Sequence, residues 1–297
     1  MLPILTIRTV GELEHLATLS DPVVFLFAVV TQLGDPWFLF LALAVLYWFG
    51  PDRLGVPRRT GATLIALGLG ALALTVGLKS LFAAPRPPGA GEAILPPWLP
   101  MSVGPLYAEI ATGDGFGFPS GHAVGTTVVY GGCAVLLRRG TRVGRWLAAG
   151  AIVALVGLSR LVLGVHYALD VVVGVLVGGA FLALVVSVAG RRPDRAFAVA
   201  AAVSLLALAA AAFGGHAGEM REVAAALGGA LGGLALWRSR SHRARTGSLG
   251  GPVAIVGLAA VGGLAFAAYA LSPPLPVTVG ANALVVAGVL ALPTLTA

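Results

Sequence analysis

The chain has 297 residues, of which 58% are hydrophobic and only 10% are charged. A soluble domain carries about 25% charged residues, so this composition excludes a protein whose whole surface faces water and predicts an integral membrane protein. The formal net charge is +7, but the basic residues are concentrated in short segments between apolar runs. That distribution favours a membrane-orientation signal over a nucleic-acid-binding surface.

Nine apolar runs are long enough to be considered as helices that cross the roughly 30 Å of membrane hydrocarbon. In chain order they are residues 22–49, 60–82, 120–138, 146–164, 167–190, 195–213, 222–237, 252–271 and 277–294. The sequence Gly34-Asp35-Pro36 interrupts the first run, which is therefore predicted to be a half-helix followed by a full span. A short interfacial helix is predicted before it, from Val10 to Leu19. The predicted fold class is all-α, a polytopic transmembrane helix bundle.

Three parts are predicted along the chain. Residues 1–21 form an N-terminal interfacial segment, residues 22–213 form the membrane core, and residues 214–297 form additional C-terminal transmembrane helices. The polar motifs lie within residues 75–190. The C-terminal part shows no catalytic spacing, and we interpret it as packing or anchoring.

The arginine-rich loops predict the orientation in the membrane. Residues 50–59, 138–145, 191–195 and 238–245 hold 14 of the 19 basic residues. The positive-inside rule predicts that these four loops face the cytoplasm. Because successive spans alternate in direction, the polar motifs all fall at the opposite end. The sequence therefore predicts a multi-pass protein of the cell membrane with an extracytoplasmic active site.

The motif with the clearest chemistry is Ser159-Arg160 followed by His166 and Asp170. His166 and Asp170 are four residues apart, so on a helix their side chains share a face. A carboxylate bonded to one imidazole nitrogen fixes the tautomer and leaves the other nitrogen free as a nucleophile or base. With a phosphate ester, this predicts attack by His166 on phosphorus and a phosphohistidine that water hydrolyses. Arg160 would hold two phosphate oxygens. The structural alternative is a core histidine with a satisfying partner.

A second motif, Pro119-Ser120-Gly121-His122, is typical of a helix start, because serine is a favoured N-cap. A helix N-terminus presents free N–H groups and a partial positive charge, so it is suited to an anion. Ser120 and Gly121 would then hold phosphate oxygens, and His122 would protonate the leaving oxygen as general acid. On its own, this motif more often marks only a helix cap.

The first motif in the chain combines Lys79, in the last turn of its predicted span, with Arg86. Pro85 and Pro87 keep the chain extended around Arg86. Together with Arg160, these side chains would form a three-cation clamp on the transferring phosphoryl group. Lys79 by itself is also consistent with a side chain that reaches for the membrane interface.

The long segment between two predicted spans and the single cysteine also carry predictions. The long segment 85–118 is predicted to be a lid at the membrane surface that shapes lipid entry, with a plain solvated connector as the alternative. The single cysteine, Cys133, and the absence of clustered ligand residues in the sequence predict neither a metal nor a cofactor.

The three motifs read K-x6-R-P, P-S-G-H and S-R-x5-H-x3-D in chain order. This pattern resembles the type 2 phosphatidic acid phosphatase family, whose superfamily also contains the vanadium haloperoxidases. The resemblance implies a six-helix phosphatase core, here with about three extra C-terminal spans, and metal-free catalysis. It implies a phosphohistidine on His166 oriented by Asp170, with His122 as the acid. The implied phosphate-binding residues are Lys79, Arg86, Ser120, Gly121 and Arg160.

The predicted function is a membrane lipid phosphatase that acts on a phosphomonoester or diphosphate. The lipids implied by the resemblance are phosphatidate, phosphatidylglycerol phosphate and polyprenyl diphosphates. One alternative is a lipid phosphotransferase that passes the group from the same phosphohistidine to an alcohol. Another is a non-catalytic membrane scaffold or transporter, against which the intact motifs argue. A haloperoxidase is disfavoured because those relatives are soluble. No nucleic acid is expected as a partner, and no oligomeric state is predicted.

Overall fold

The computed structural model describes residues 19–239 and 250–295. Apart from Leu19, the predicted interfacial helix lies outside these residues, and so do most of residues 238–245. The described part of the chain forms eleven α-helices and one 3₁₀ turn, without strands. The predicted all-α fold is confirmed.

Within residues 19–239 and within residues 250–295, the helices follow one another with short connections, except for the long segment after the third α-helix. They are α1 (Asp21–Thr31), a 3₁₀ turn (Gln32–Gly34), α2 (Pro36–Leu54), α3 (Arg58–Phe82), α4 (Gly104–Ala111), α5 (Gly121–Leu136), α6 (Arg142–Val162), α7 (Ala168–Ala189), α8 (Pro193–Gly214), α9 (Ala217–Arg238), α10 (Gly251–Ala270) and α11 (Leu275–Leu295).

Seven of these helices, α2, α3, α6, α7, α8, α10 and α11, are long and apolar enough to cross a membrane. The chain is therefore a multi-pass membrane protein. Each of the nine predicted runs corresponds to a helix. Two of these helices, α5 and α9, are not among the seven candidate spans, and α5 is shorter than any of them. The predicted loops 50–59 and 138–145 are shorter than expected, because α2 continues to Leu54 and α6 begins at Arg142.

The break predicted in the first apolar run is present between α1 and α2. Asp35 is the N-cap of α2, and its Oδ1 accepts a hydrogen bond from the backbone N–H of Trp37 at 3.3 Å. Pro36 occupies the first helical position, where its missing N–H costs nothing. At the other end, α2 stops at Gly55, whose φ of 61° is the left-handed conformation that favours glycine.

Helix α3 is the central element of the bundle and is buried along most of its length. It packs against α2, α5, α8 and α9. Glycines allow the closest approaches: Gly77 of α3 lies against the backbone of Ala207 in α8, where a Cβ would be 3.0 Å from the Ala207 Cα. Lys79 therefore extends from a helix that is held from several sides.

Glycines also lie at other helix contacts. Gly174 of α7 faces α5, where a Cβ would be 2.9 Å from the Ser120 carbonyl oxygen. Gly228 and Gly232 of α9 lie against the backbone of α11. Small residues let helix backbones approach closely in lipid. The contact at Gly174 brings the start of α7 to the start of α5, and each of these two helix starts carries one of the polar motifs.

The long segment between α3 and α5 is partly ordered by its own helix, α4. Tyr107 of α4 is buried and stacks on Phe25 of α1 with ring centroids 5.7 Å apart. Trp98 contacts the same ring edge-on at 5.1 Å. The segment is thus packed on α1 through these rings, and its role as a lid stays a prediction.

Candidate active site

The three polar motifs meet in one cavity of about 310 Å³ at one end of the bundle. Six of the eight residues predicted for the site line it: Lys79, Arg86, Gly121, His122, Arg160 and His166. The other two, Ser120 and Asp170, are fully buried beside it. A backbone hydrogen bond of 3.0 Å from the Ser120 N–H to the Asp170 carbonyl joins the start of α5 to the start of α7.

The His166–Asp170 contact is present, but it arises differently from the prediction. His166 lies before Tyr167, the N-cap of α7, and Asp170 is in the first turn of that helix. The two side chains are therefore not on one helix face. Instead, Asp170 Oδ2 accepts from the backbone N–H of Tyr167 at 3.0 Å and lies 3.3 Å from His166 Nδ1. The Asp170 carboxylate therefore connects the turn before α7 to the first turn of that helix and contacts His166 at Nδ1.

The hydrogen bonds of His166 indicate its tautomer. Arg86 Nη1 lies 3.1 Å from His166 Nε2, and a guanidinium can only donate. Nε2 is therefore the unprotonated nitrogen, and Nδ1 carries the proton that is donated to Asp170. Burial, reinforced by the positive charges of Arg86, Arg160 and Lys79, lowers the pKa of His166 well below its ordinary value. A neutral imidazole with its Nε2 lone pair directed at Arg86 and the cavity can act as a nucleophile.

Arg86 is anchored by backbone carbonyls. Its Nε donates to the carbonyl oxygen of Asp114 at 2.8 Å, and its Nη1 donates to that of Val165 at 3.0 Å. These bonds place the guanidinium between the long segment and His166. Proline on both sides of Arg86 in the sequence is consistent with this extended, anchored position.

Arg160 approaches the cavity from the end of α6. Its side chain is almost fully buried, and Nη1 donates to Thr31 Oγ1 at 2.8 Å. Its Nε has no hydrogen-bond partner among the described residues. With Lys79 and Arg86, it makes a set of three cations in one cavity, which is suited to a doubly charged phosphoryl group.

Helix α5 begins as predicted, with Ser120 as its N-cap and Gly121 as its first residue, although the Ser120 side chain makes no capping hydrogen bond. The first N–H groups of a helix have no intrahelical acceptor, so this end of α5 offers donors to an anion. A Cβ at Gly121 would be 3.1 Å from the Thr75 side chain, so glycine lets α5 pack closely against α3. His122 lies in the first turn, with 17% of its side chain exposed.

Four carboxylates that were given no role from the sequence also line the cavity: Asp35, Glu109, Asp114 and Glu222. Burial raises the pKa of Asp35, while the hydrogen bond from Trp37 and the charge of Arg160 oppose that shift. Glu222 comes from α9, in the part of the chain interpreted as packing or anchoring. A carboxylate within an apolar run was the available signal for both Asp35 and Glu222, because such groups are expensive in a membrane.

The cavity also has an apolar side. It is lined by Leu39, Phe40 and Leu43 of α2 and by Gly68, Ala71 and Leu72 of α3. Polar and apolar linings are continuous, so a molecule with a charged head and a hydrocarbon chain fits the chemistry of the cavity. Within residues 19–239 and 250–295, no group of three or more His, Cys, Asp and Glu side chains is arranged to hold a metal ion.

Comparisons with known proteins identify the family of the chain. The family model of the PAP2 superfamily matches residues 60–194, which include all eight residues predicted for the site. The decaprenylphosphoryl-5-phosphoribose phosphatase of Mycobacterium tuberculosis (strain CDC 1551 / Oshkosh) is 33% identical over 166 residues, which cover 55% of this chain and 78% of the relative. The protein of the same name from strain ATCC 25618 / H37Rv gives the same values. No solved structure matches the chain. The chain belongs to the PAP2 superfamily and is a lipid phosphatase, a hydrolase that acts on phosphate ester bonds.

Proposed function

We propose that this protein removes the phosphate from a lipid phosphomonoester through a phosphohistidine on His166, at the extracytoplasmic face of the membrane. The observation that carries the proposal is the single cavity in which the three cations and two histidines continue into an apolar groove. The relative named for decaprenylphosphoryl-5-phosphoribose makes a polyprenyl lipid with a phosphorylated sugar the first substrate to test. Phosphatidate and phosphatidylglycerol phosphate are the next.

The apolar groove is long enough to take part of a lipid chain. It follows α3 from Gly68 to Lys79, a distance of about 16 Å at about 1.5 Å per residue. The opposite wall is formed by Leu39, Phe40 and Leu43 of α2. A lipid that places its first carbons in this groove brings its phosphate to the cationic end, because the groove leads to Lys79.

The first chemical step is a transfer of the phosphoryl group to His166. Nε2 attacks phosphorus, the N–P bond forms, and the bond to the lipid oxygen breaks as that oxygen takes a proton from His122. Lys79, Arg86 and Arg160 hold the non-bridging oxygens, on which charge accumulates. In this step Arg86 Nη1 stops donating to His166 Nε2 and donates to a phosphate oxygen, because the Nε2 lone pair that accepted from Arg86 now forms the bond to phosphorus.

The second step returns the enzyme to its starting state. A water molecule attacks phosphorus and gives its proton to His122, the N–P bond breaks, and inorganic phosphate leaves. Throughout both steps Asp170 accepts a hydrogen bond from Nδ1–H of His166, which stabilises the positive charge of the phosphorylated imidazole. The N–H groups of Gly121 and His122 lie at the start of α5, where a helix favours an anion.

The test is phosphate release by the purified protein in detergent, measured against the three lipid classes with and without an added alcohol such as glycerol. The proposal expects free phosphate from at least one class and an acid-labile phosphoprotein that His166→Ala does not form. Transfer of the phosphate to glycerol in place of release would indicate the lipid phosphotransferase instead. Absence of both products with every lipid would refute the proposed function.

The sidedness is supported by the distribution of charge and has its own test. In a Cys133→Ala background, a cysteine at Asp52, at the arginine-rich end, is expected to be protected from an impermeant thiol reagent in intact cells. A cysteine at Gly91, in the long segment at the cavity end, is expected to react; a Cβ there has open space. The reverse labelling pattern would place the active site in the cytoplasm.

A further inference from the structure

The break between α1 and α2 contacts the active site at two points. Thr31, the last residue of α1, accepts a hydrogen bond from Arg160 at 2.8 Å. Asp35, the N-cap of α2, places Oδ2 at 4.0 Å from His122 Nε2. The sequence explains the break as a helix interruption by Gly34-Asp35-Pro36, but an interruption alone does not require a carboxylate that faces a histidine.

The two oxygens of Asp35 have different neighbours. Oδ1 accepts the backbone N–H of Trp37 and so caps α2, while Oδ2 is directed toward His122. The same carboxylate can therefore hold a helix end and face an imidazole. Asparagine and serine are also good N-caps, so the capping role does not by itself select aspartate.

The backbone of the break packs closely against the His122 ring at Gly34. A Cβ at Gly34 would lie 3.1 Å from His122 Cδ2 and 2.6 Å from a methyl group of Val156. The second distance is shorter than real Cβ atoms adopt, so a larger residue would displace the break from α5 and α6. Glycine at this position brings the backbone before Asp35 directly against the imidazole.

The two ring nitrogens of His122 have different surroundings. Nε2, the nitrogen nearest Asp35, is buried and has no hydrogen-bond partner among the described residues. Since 17% of the side chain is nevertheless exposed, we assign Nδ1 to the cavity side, where the substrate would lie. The ring thus has one nitrogen toward the carboxylate and the other toward the reacting group.

The charges around His122 make a carboxylate partner necessary for a general acid. Three cations act on it: Arg160 from α6, Lys79 from α3 and Arg86 from the long segment. A second imidazole, His166, faces the same cavity. Like charges disfavour an imidazolium at this point, yet a general acid must be protonated when the leaving oxygen departs. The other carboxylates that line the cavity are Glu109, Asp114 and Glu222.

We propose that Asp35 is the positioning residue of the general acid His122, so that the active site contains two histidine–carboxylate pairs with different tasks. This inference rests on the proposed function. Asp35 accepts a hydrogen bond from Nε2–H of the imidazolium and holds the ring so that Nδ1–H points at the leaving oxygen. When the P–O bond breaks, its electron pair takes the Nδ1 proton, and His122 becomes neutral. It regains that proton from the water that hydrolyses the phosphohistidine. Asp35 keeps its charge throughout.

Leaving-group dependence tests this role directly. An alkyl lipid phosphate needs a proton on its leaving oxygen, whereas p-nitrophenyl phosphate releases a stabilised phenolate that needs none. Asp35→Asn keeps the helix cap and the side-chain volume but removes the charge. It is expected to lower kcat/KM, which reports the phosphoryl transfer to His166 and not the later hydrolysis, by about 10- to 100-fold for the lipid phosphate, which is part of what general acid catalysis contributes. It should lower kcat/KM for p-nitrophenyl phosphate by less than about threefold on the same grounds.

Two further variants make the result specific. Glu109→Gln removes a different carboxylate from the same cavity and is expected to keep the wild-type ratio of the two substrates. Asp35→Ser retains a capping oxygen without a carboxylate and should reproduce the selective loss of Asp35→Asn. Melting temperature and detergent extraction are measured on all variants, so that a general loss of folded protein is recognised as an equal loss with both substrates.

The pH profile provides a readout that a purely structural role would not move. In the wild type, activity on the lipid phosphate falls at high pH as His122 loses its proton. Without the Asp35 charge, that alkaline limb should move to lower pH. Equal losses with both substrates, or an unmoved alkaline limb, would overturn the role of Asp35. A wild-type protein inactive on every lipid phosphate would instead refute the proposed function.

Discussion

Arginine is used at both ends of this helix bundle, and it is used differently at each. At the cavity end, Arg160 is almost fully buried, donates to Thr31 and lines the cavity. At the other end, Arg139 donates to the carbonyl of Leu54 at 2.8 Å, and Arg145 donates to that of Ala134 at 2.9 Å. The residue type is the same, and the acceptors and surroundings differ.

The acceptors at the loop end are carbonyl groups at the ends of helices. Leu54 is the last residue of α2, and Ala134 lies in the last turn of α5. Leu136 lies in the same turn, and its carbonyl accepts from Arg191 at 3.0 Å. Helix C-termini leave such carbonyls unsatisfied and carry a partial negative charge. These arginines therefore stabilise helix ends, whereas Arg160 in the cavity has an Nε that no described residue bonds. Function depends on where the remaining N–H groups point.

The largest expected effect is at the cavity end, for His166→Ala. This variant should lower kcat for the lipid phosphate by at least about 10³-fold, because catalytic residues that act as a unit lose most of the rate when one is removed. The measurement is phosphate release by detergent-purified protein at matched folded concentration. His216→Ala is the matched histidine control and should retain most activity. Residual activity of His166→Ala above about 1% of wild type would require a different nucleophile or direct attack by water.

Arg160→Lys is expected to have the next largest effect. Lysine keeps the charge but lacks the planar fork that can contact Thr31 and a phosphate oxygen together. Loss of one donor to a transferring group costs about 10²- to 10³-fold, and retention of the charge should limit the loss in kcat/KM to about the lower end of that range. Arg145→Lys, the same change at the loop end, should leave kcat/KM within about twofold. Similar losses in the two variants would contradict the division between the ends.

The sequence was sufficient to predict that the cations and histidines of the three motifs meet in one cavity, since charged groups are rare and costly in an apolar chain, but it assigned no role to the four carboxylates that also line it. Alternation of the spans then placed Lys79, Ser120 and His166 at one end. It was also sufficient to predict the break at Gly34-Asp35-Pro36, because proline and glycine act locally. These predictions depend on composition and on the direction of each helix, both of which can be read along the chain.

The contacts between distant segments could not be predicted in the same way. The approach of Asp35 to His122 depends on how the break packs against α5 and α6, and the position of Glu222 depends on how α9 packs against α3. No periodicity within one segment records such a contact. The His166–Asp170 pair was predicted for the right residues but with both on one helix, because their spacing of four fits a helix turn as well as a helix start.

The dependence of activity on pH is expected to reflect the cations of the cavity. In the proposed mechanism His166 must be neutral to attack, and its pKa is lowered by burial and by the charges of Arg86, Arg160 and Lys79. Activity is therefore retained as pH falls through the ordinary histidine range and is lost only below it. Arg86→Gln removes the largest charge contribution, so the acid limb of kcat/KM should move to higher pH. Arg139→Gln, at the loop end, should leave the limb in place. The same substrate in every variant cancels the substrate's own titration.

The smallest expected effect is on stability, at the loop end. Arg145 donates from Nε to Ala134 and from Nη1 to Gly140 at 3.1 Å, and so connects the end of α5 to the turn before α6. A hydrogen bond contributes about 1 kcal/mol net, and loss of these two bonds in Arg145→Gln should lower the free energy of unfolding by about 2 kcal/mol. Thermal unfolding in detergent measures the change, and kcat per folded molecule should be unaltered. A fall in kcat without a fall in melting temperature would mean that the loop-end arginines also act on the cavity, and that the two ends are coupled through α5.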